Sequence, residues 1–398
     1  MSLKEIFGQD KAVDILQRAH AADKSPHAYI FAGPDGVGKF KTAREWAKML
    51  LCKRQKTEGR GQKAEDRGQR TEDRKQKTEG RSQKTEDVLV DNCGECESCK
   101  LFEAGSHPDF HHIYKELLKF TREGKKDAAP VEMPIDVIRE FLIDKVSTRP
   151  TLSVRKVFVV SEAEKLNNES QNCLLKVLEE PPPYCSIILL CTRMENLLPT
   201  TKSRCRVIRF SPIHEDKIIE HVKQMNLAHE AAQYFSRLAQ GSLGAACQYA
   251  RLELAGAELL QTKKQLLDML SSLEYPDALD SAEWLIDRAK TIAAVWAELE
   301  KNTSKTDINR QAAKTIVSII ISALHDTITL NLKLPQNLIN SGQKDLIKKL
   351  AESLDPDLAA QKITLCYQSL RWIEAAVNEK LIFEHLLLNL APCDIIKS

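Results

Sequence analysis

The chain has 398 residues, 42% of them apolar and 29% charged, with 58 Lys/Arg against 56 Asp/Glu. That size and composition predict two or three globular domains with sizeable cores and exclude a wholly disordered chain. No run approaches the roughly 18 uncharged apolar residues of a membrane helix, and the opening MSLKEIFGQDKAVDIL lacks a hydrophobic secretory core, so a cytoplasmic protein that does not engage membranes is expected.

The first apolar run, 27–32, reads as a strand. It leads into Gly33-Pro-Asp-Gly36-Val-Gly38-Lys39-Phe40 and then the helical pattern KTAREWAKMLL. A strand, a glycine-rich loop and a helix start make a cradle of backbone N–H groups for phosphates, with Lys39 as the point charge on their outer oxygens. The residue after the lysine would need a hydroxyl to hold Mg²⁺, and Phe40 has none. Thr42 lies about 200° around the helix from Phe40 and cannot replace it. Lys39 also admits a plainer reading as a solvated lysine at a helix end.

Residues 55–87 repeat a seven-residue unit, QKTEGRG, QKAEDRG, QRTEDRK, QKTEGRS, QKTED, with Ala64 as the sole apolar residue. A coiled coil needs two apolar positions per heptad, so a disordered polyampholyte insert within 53–92 is predicted, with a basic tether for DNA as the competing reading. Residues 53–87 carry 12 basic and 8 acidic side chains, leaving 46 against 48 elsewhere. A near-neutral folded remainder argues against a protein that grips nucleic acid alone.

Cys93-Gly-Glu-Cys96-Glu-Ser-Cys99 follows at 93–99, with Cys52 upstream as a fourth ligand candidate. Reduced cysteines at this spacing suit a structural Zn²⁺ site; an iron–sulfur cluster and free thiols are the alternatives. His107, His111 and His112 are secondary ligand candidates. Cys173, Cys185, Cys191, Cys247, Cys366 and Cys393 read as small buried hydrophobes.

Further strands are expected at 110–114, 156–160, 186–191 and 206–210, separated by helical patterns, which implies a mainly parallel sheet covered by helices. The run 156–160 ends in Ser161-Glu162, where an aspartate would be needed as the second Mg²⁺ ligand. Asn168 with Gln171 reads as a capping box for a helix that stops at the prolines 181–183. After Pro212 the pattern is helical to the end. The expected division is a P-loop domain over 1–210, a helical lid over 211–252 and a larger helical domain over 253–398.

FGQDKAVDIL, HAYIFAGPDGVGK, CGECESC, GSHPDFHHI, IDVIREFL, NCLLKVLEEPPP and LLPTTKSRCRVIRF stand in the order found in bacterial DNA polymerase III clamp-loader subunits of the AAA+ class, which the chain resembles. The resemblance fades after about residue 250 until NEKLIFEHLLLNL. It implies an α/β AAA+ domain with an inserted zinc module held by Cys52, Cys93, Cys96 and Cys99, then a helical lid and an all-α collar. The implied partners are gamma/tau and delta subunits, with the sliding clamp and primer-template DNA reached through the complex. The family's motor subunits have Lys-Ser/Thr in the P-loop, Asp-Glu after the central strand and an arginine after Gly-Ser-Leu. This chain has Lys39-Phe40, Ser161-Glu162 and Gly241-Ser-Leu-Gly244. It is thus similar to the delta-prime branch, implying weak or absent ATP binding at Gly33, Gly36, Gly38 and Lys39, no hydrolysis, and Arg204 as an arginine finger acting on a neighbour's ATP. Without the resemblance Arg204 reads as a surface charge. A gamma-like motor using Glu162 as base and an independent zinc-containing nucleic-acid binder are the competing functions.

Overall fold

The computed structural model describes residues 2–22, 24–54, 56–58, 89–122, 130–301, 303–334 and 338–391. Five strands, β1 (Ala28–Ala32), β4 (Phe110–Ile113), β5 (Lys156–Val160), β6 (Cys185–Cys191) and β7 (Arg206–Arg209), form one sheet in the order β4-β5-β6-β1-β7. Every pairing in it is parallel. The other two strands, β2 (Lys56–Glu58) and β3 (Leu89–Asp91), pair antiparallel with each other. The expected strands of the main sheet all form, with ends shifted by at most one residue.

β1, β5 and β6 are buried along their whole length because helices cover both faces. Side chains alternate across the sheet. Tyr29 and Phe31 join the core with Trp46, Val157, Val159 and Ile188, whereas Ala28, Ile30 and Ala32 join Phe158, Ile187, Leu174 and Leu178 on the other face.

The helix Asn168–Glu179 starts differently from expectation. Asn167 is its cap, accepting from the Ser170 N–H at 2.8 Å. Gln171 faces inward, where its Nε2 donates to the carbonyls of Leu166 and Asn196 and its Oε1 accepts from the Leu198 N–H. With Asn167 and Asn168 adjacent, the sequence could not say which one caps.

Beyond Pro212 every described element is helical. Helices Glu215–Lys223, His229–Leu238 and Leu243–Leu254 pack around Ile213, Ile218, Val222 and Ala246. Tyr234, Phe235, Leu238 and Leu252 also join the apolar core of the C-terminal helices, and helix Leu243–Leu254 runs through residue 252. The central C-terminal helix, Lys305–Asn331, is long and apolar enough to cross a membrane, the one such helix among the described residues. Its most apolar stretch is 72% buried, and it packs against Ala278–Leu299 and Pro356–Glu374. It is a core helix of the C-terminal region.

Residues 59–88, which include most of the 55–87 heptapeptide repeat, lie outside the described residues. Its first residues do not continue as an irregular loop: Lys56–Glu58 pair with Leu89–Asp91, Glu58 opposite Leu89. The ribbon brings the two ends of the insert together next to the cysteines. Replacing 59–88 by Asn-Gly, the preferred type I′ hairpin turn, is therefore expected to leave the melting temperature within a few degrees of the parent. Calorimetry of the shortened chain checks this, and a drop of about 10 °C or more contradicts it.

Candidate functional site

The carboxyl ends of β1, β5 and β6 face a cleft of about 550 Å³ whose lining includes Gly36, Lys39, Phe40, Ser161, Thr192 and Leu243. That volume suits a small ligand. Gly36 (φ 68°) and Gly38 (φ 101°) are left-handed, and Gly38 caps the helix Lys39–Leu51. Left-handed glycines before a helix start build an anion-binding nest of N–H groups. Lys39 is 7% exposed, so it is no solvated lysine. Its Nζ folds back to donate to the carbonyls of Gly33 at 2.8 Å and Pro34 at 2.5 Å. Burial lowers its pKa, opposed by Asp35 and Glu164.

Phe40 and Ser161, which stand where Mg²⁺ ligands were expected, are joined by a residue that sequence reasoning weighed only as a zinc ligand. The Phe40 ring lies 4.6 Å from that of His112, whose Nε2 is 2.8 Å from the Ser161 hydroxyl. Burial holds the His112 pKa down at about 4, so at neutral pH an aromatic ring, a neutral imidazole and a hydroxyl stand together. None supplies the anionic oxygen a divalent cation prefers. His112 escaped notice because its role depends on the β4–β5 register, which sets it beside Val159 two residues before Ser161. Thr42 cannot compensate: its hydroxyl donates to the Gly38 carbonyl at 2.9 Å.

Glu162, in a left-handed conformation (φ 50°), is paired with Lys165 at 2.5 Å and Lys115 at 3.6 Å. Lys115 also faces Asp307 at 3.6 Å, on the first turn of Lys305–Asn331. After β6, Glu164 accepts from the Thr192 N–H and hydroxyl, and Arg193 pairs with Glu374. Two ion-pair networks thus tie the rim of the cleft to the C-terminal helices.

Helix Leu243–Leu254 meets the backbone of the glycine-rich loop directly. The Gly244 N–H donates to the Gly36 carbonyl at 2.8 Å. A Cβ at Gly244 would stand 2.9 Å from the Gly36 Cα, and one at Gly36 would stand 2.1 Å from the Ser242 hydroxyl. An arginine at 244 does not fit this arrangement. Gln9 adds a second strut, its Nε2 donating to the carbonyls of Val37 and Ser211.

His111 stacks on Phe158 with ring centroids 4.9 Å apart, and burial pushes its pKa down to about 4 as well. For both histidines the folded pKa lies below the ordinary value of 6.5. Above pH 6.5 neither binds a proton in either state; as pH falls from 6.5 towards 4, the unfolded chain takes up protons first and the fold loses stability. Thermal melts across that window should decline steadily, and an NMR titration placing His112 near 6.5 would contradict the assignment.

Near the far end of helix Lys39–Leu51, the sulfurs of Cys52, Cys93, Cys96 and Cys99 all lie within 4.8 Å of one another. Cys52 is 3.5 Å from Cys93 and 3.9 Å from Cys96, and Cys93 is 3.9 Å from Cys99. Zn–S bonds of about 2.3 Å place tetrahedral thiolates about 3.8 Å apart, so these four could hold one zinc ion. An iron–sulfur cluster, which interposes several atoms between its thiolates, needs more room. The N–H groups of Cys93, Cys96 and Cys99 point at the sulfurs of Cys52, Cys93 and Cys96. Although burial alone would raise it, such donors bring the Cys96 thiol down to about 6. His107 does not join the set; its Nε2 lies 2.9 Å from the Ser98 hydroxyl, which donates to the Leu51 carbonyl. Of the cysteines read as core, Cys185, Cys191 and Cys366 are buried, while Cys173 and Cys247 are partly exposed. Cys393 lies outside the described residues.

Arg204 follows the short helix Pro199–Ser203 and precedes the edge strand β7. Its Nη2 pairs with Glu179 Oε1 at 2.7 Å and its Nη1 donates to the Thr200 carbonyl at 2.9 Å, leaving the side chain 34% exposed.

Fold and site together define a parallel α/β core with a glycine-rich loop at a helix start, a four-cysteine cluster and a helical C-terminal region. The family model described as "DNA polymerase III, delta subunit" matches residues 8–78 and 79–214, and that described as "DNA polymerase III, delta subunit, C terminal" matches 300–391. The chain belongs to this DNA polymerase III clamp-loader family. It is 28% identical over 282 residues to DNA polymerase III subunit tau/gamma of Haemophilus influenzae, covering 69% of this chain and 34% of that one. It is 32% identical over 179 residues to subunit delta' of Pseudomonas aeruginosa, covering 45% and 41%. These matches span well under two thirds of the relatives' lengths. A crystal structure of a gamma subunit-related protein from Thermotoga maritima aligns with a TM-score of 0.41 at 17% identity, over 94% of this chain and 97% of that one.

Proposed function

We propose that this protein is the delta-prime-type subunit of a bacterial clamp loader: it does not hydrolyse ATP, and it completes the ATP site of a neighbouring gamma/tau subunit with Arg204. The observation that carries this reading is the Phe40–His112–Ser161 contact, which puts uncharged groups at both sequence positions where a motor subunit carries its Mg²⁺ ligands. Phosphoryl transfer depends on that cation to neutralise developing charge, so its loss harms hydrolysis more than binding. Glu162, the base a motor would use, is engaged by two lysines. The closed Gly36–Gly244 contact agrees with weak or absent nucleotide binding. The four cysteines hold a structural zinc, with no open position for a catalytic water.

In this role the chain assembles with gamma/tau and delta subunits and reaches the sliding clamp and primer-template DNA through that complex, in the cytoplasm. The test is reconstitution: the purified chain should enter a pentameric loader and raise its clamp- and DNA-stimulated ATPase. Exclusion from the complex would refute the reading.

A further inference from the structure

We propose that Glu179 is a positioning residue for Arg204, holding its guanidinium in the orientation used on the neighbouring subunit's ATP; this rests on the reading of Arg204 as an arginine finger. Glu179 is the last residue of helix Asn168–Glu179, whose Leu174 and Leu178 are buried beneath the sheet, and Pro181 prevents the helix from continuing. The carboxylate therefore stands on a fixed support. Arg204 stands on a second one, the turn Pro199–Ser203, where the Thr200 carbonyl takes an Nη1 proton while Glu179 takes one from Nη2.

Two features argue that this pair serves orientation. Both partners stay open to solvent, Arg204 at 34% and Glu179 at 49%, and exposed ion pairs add little to stability. The contacts with Thr200, Glu179 and, at 3.4 Å, the Ser203 hydroxyl use three of the guanidinium's five N–H groups, so two are left to meet phosphate oxygens. A long side chain at a sheet edge would otherwise sample many rotamers, and an arginine that must meet a phosphate in one geometry gains from being held there beforehand.

The experiment uses the full chain in a reconstituted loader, with incorporation of each variant verified. Glu179→Gln should lower the kcat of stimulated ATP hydrolysis about tenfold at the shared site with KM unchanged, and Glu179→Asp should restore part of it. Glu179→Gln added to Arg204→Ala should change nothing further. Unchanged or raised kcat in Glu179→Gln, or an additive loss in the double variant, would overturn the proposal while leaving the finger reading intact. Full activity of Arg204→Ala would remove both.

Discussion

Replacing Cys96 by serine is expected to abolish zinc content and to unfold the cysteine turns and the short helix Glu97–Glu103. Apparent binding free energies of structural zinc are about 10–16 kcal/mol, comparable with the whole stability of a domain. The module is also tied into the fold around it: Ser98 and Ser153 both donate to the Leu51 carbonyl, and Asp109 accepts from the N–H groups of Thr151, Leu152 and Ser153. Loss of the metal should therefore loosen the helix that follows the P-loop as well as the cysteine turns. Elemental analysis should give one zinc per parent chain and none in the variant, whose first unfolding transition should fall by 10 °C or more, on the order expected for several kcal/mol. A variant with full zinc content and an unchanged transition would remove the metal from the account.

The second large effect is expected for Arg204→Ala. Arginine fingers in phosphoryl transfer are worth about 10³–10⁵ in rate, because a planar, permanently charged guanidinium stabilises charge as the γ-phosphate departs. In a loader with several ATP sites only the one facing Arg204 is affected, so bulk hydrolysis should drop by that site's share, while clamp loading, which needs the sites to act together, should fall further. Arg204 is partly exposed and its Glu179 pair lies on the surface, so folding and assembly should persist. Steady-state ATPase and a clamp-loading assay on the same reconstituted sample separate these outcomes. A variant that assembles and loads clamps at the parent rate would show that Arg204 is only a surface charge.

The legible part of this molecule was its local grammar. The mainly apolar runs of β1, β5 and β6 announced a sheet covered on both faces, and the glycines at 33, 36 and 38 announced the loop after β1. The two-residue cysteine spacing marked a cluster that the fold does bring together, with Cys52 arriving from the end of the P-loop helix. What could not be read were features set by register and by contacts across the chain. His112 acquires its place beside Phe40 and Ser161 only once β4 pairs with β5. Gly244 looked like a missing arginine, whereas its lack of a side chain lets the lid bond to the Gly36 carbonyl. Lys115, unremarkable in sequence, bridges Glu162 to Asp307, 145 positions further along the chain, because the C-terminal helices dock beside the cleft.

The central claim, that the chain completes an ATP site without running one, is tested most directly by steady-state ATP turnover of the purified chain alone, at saturating Mg²⁺, with and without clamp and primed DNA. With Phe40 and Ser161 at the two positions where a motor subunit carries its Mg²⁺ ligands, and with Glu162 held by Lys115 and Lys165, turnover at the background of an Arg204→Ala, Lys39→Ala control is predicted. Turnover clearly above that control and abolished by Lys39→Ala would mean that the chain is itself a motor subunit, and would contradict the account.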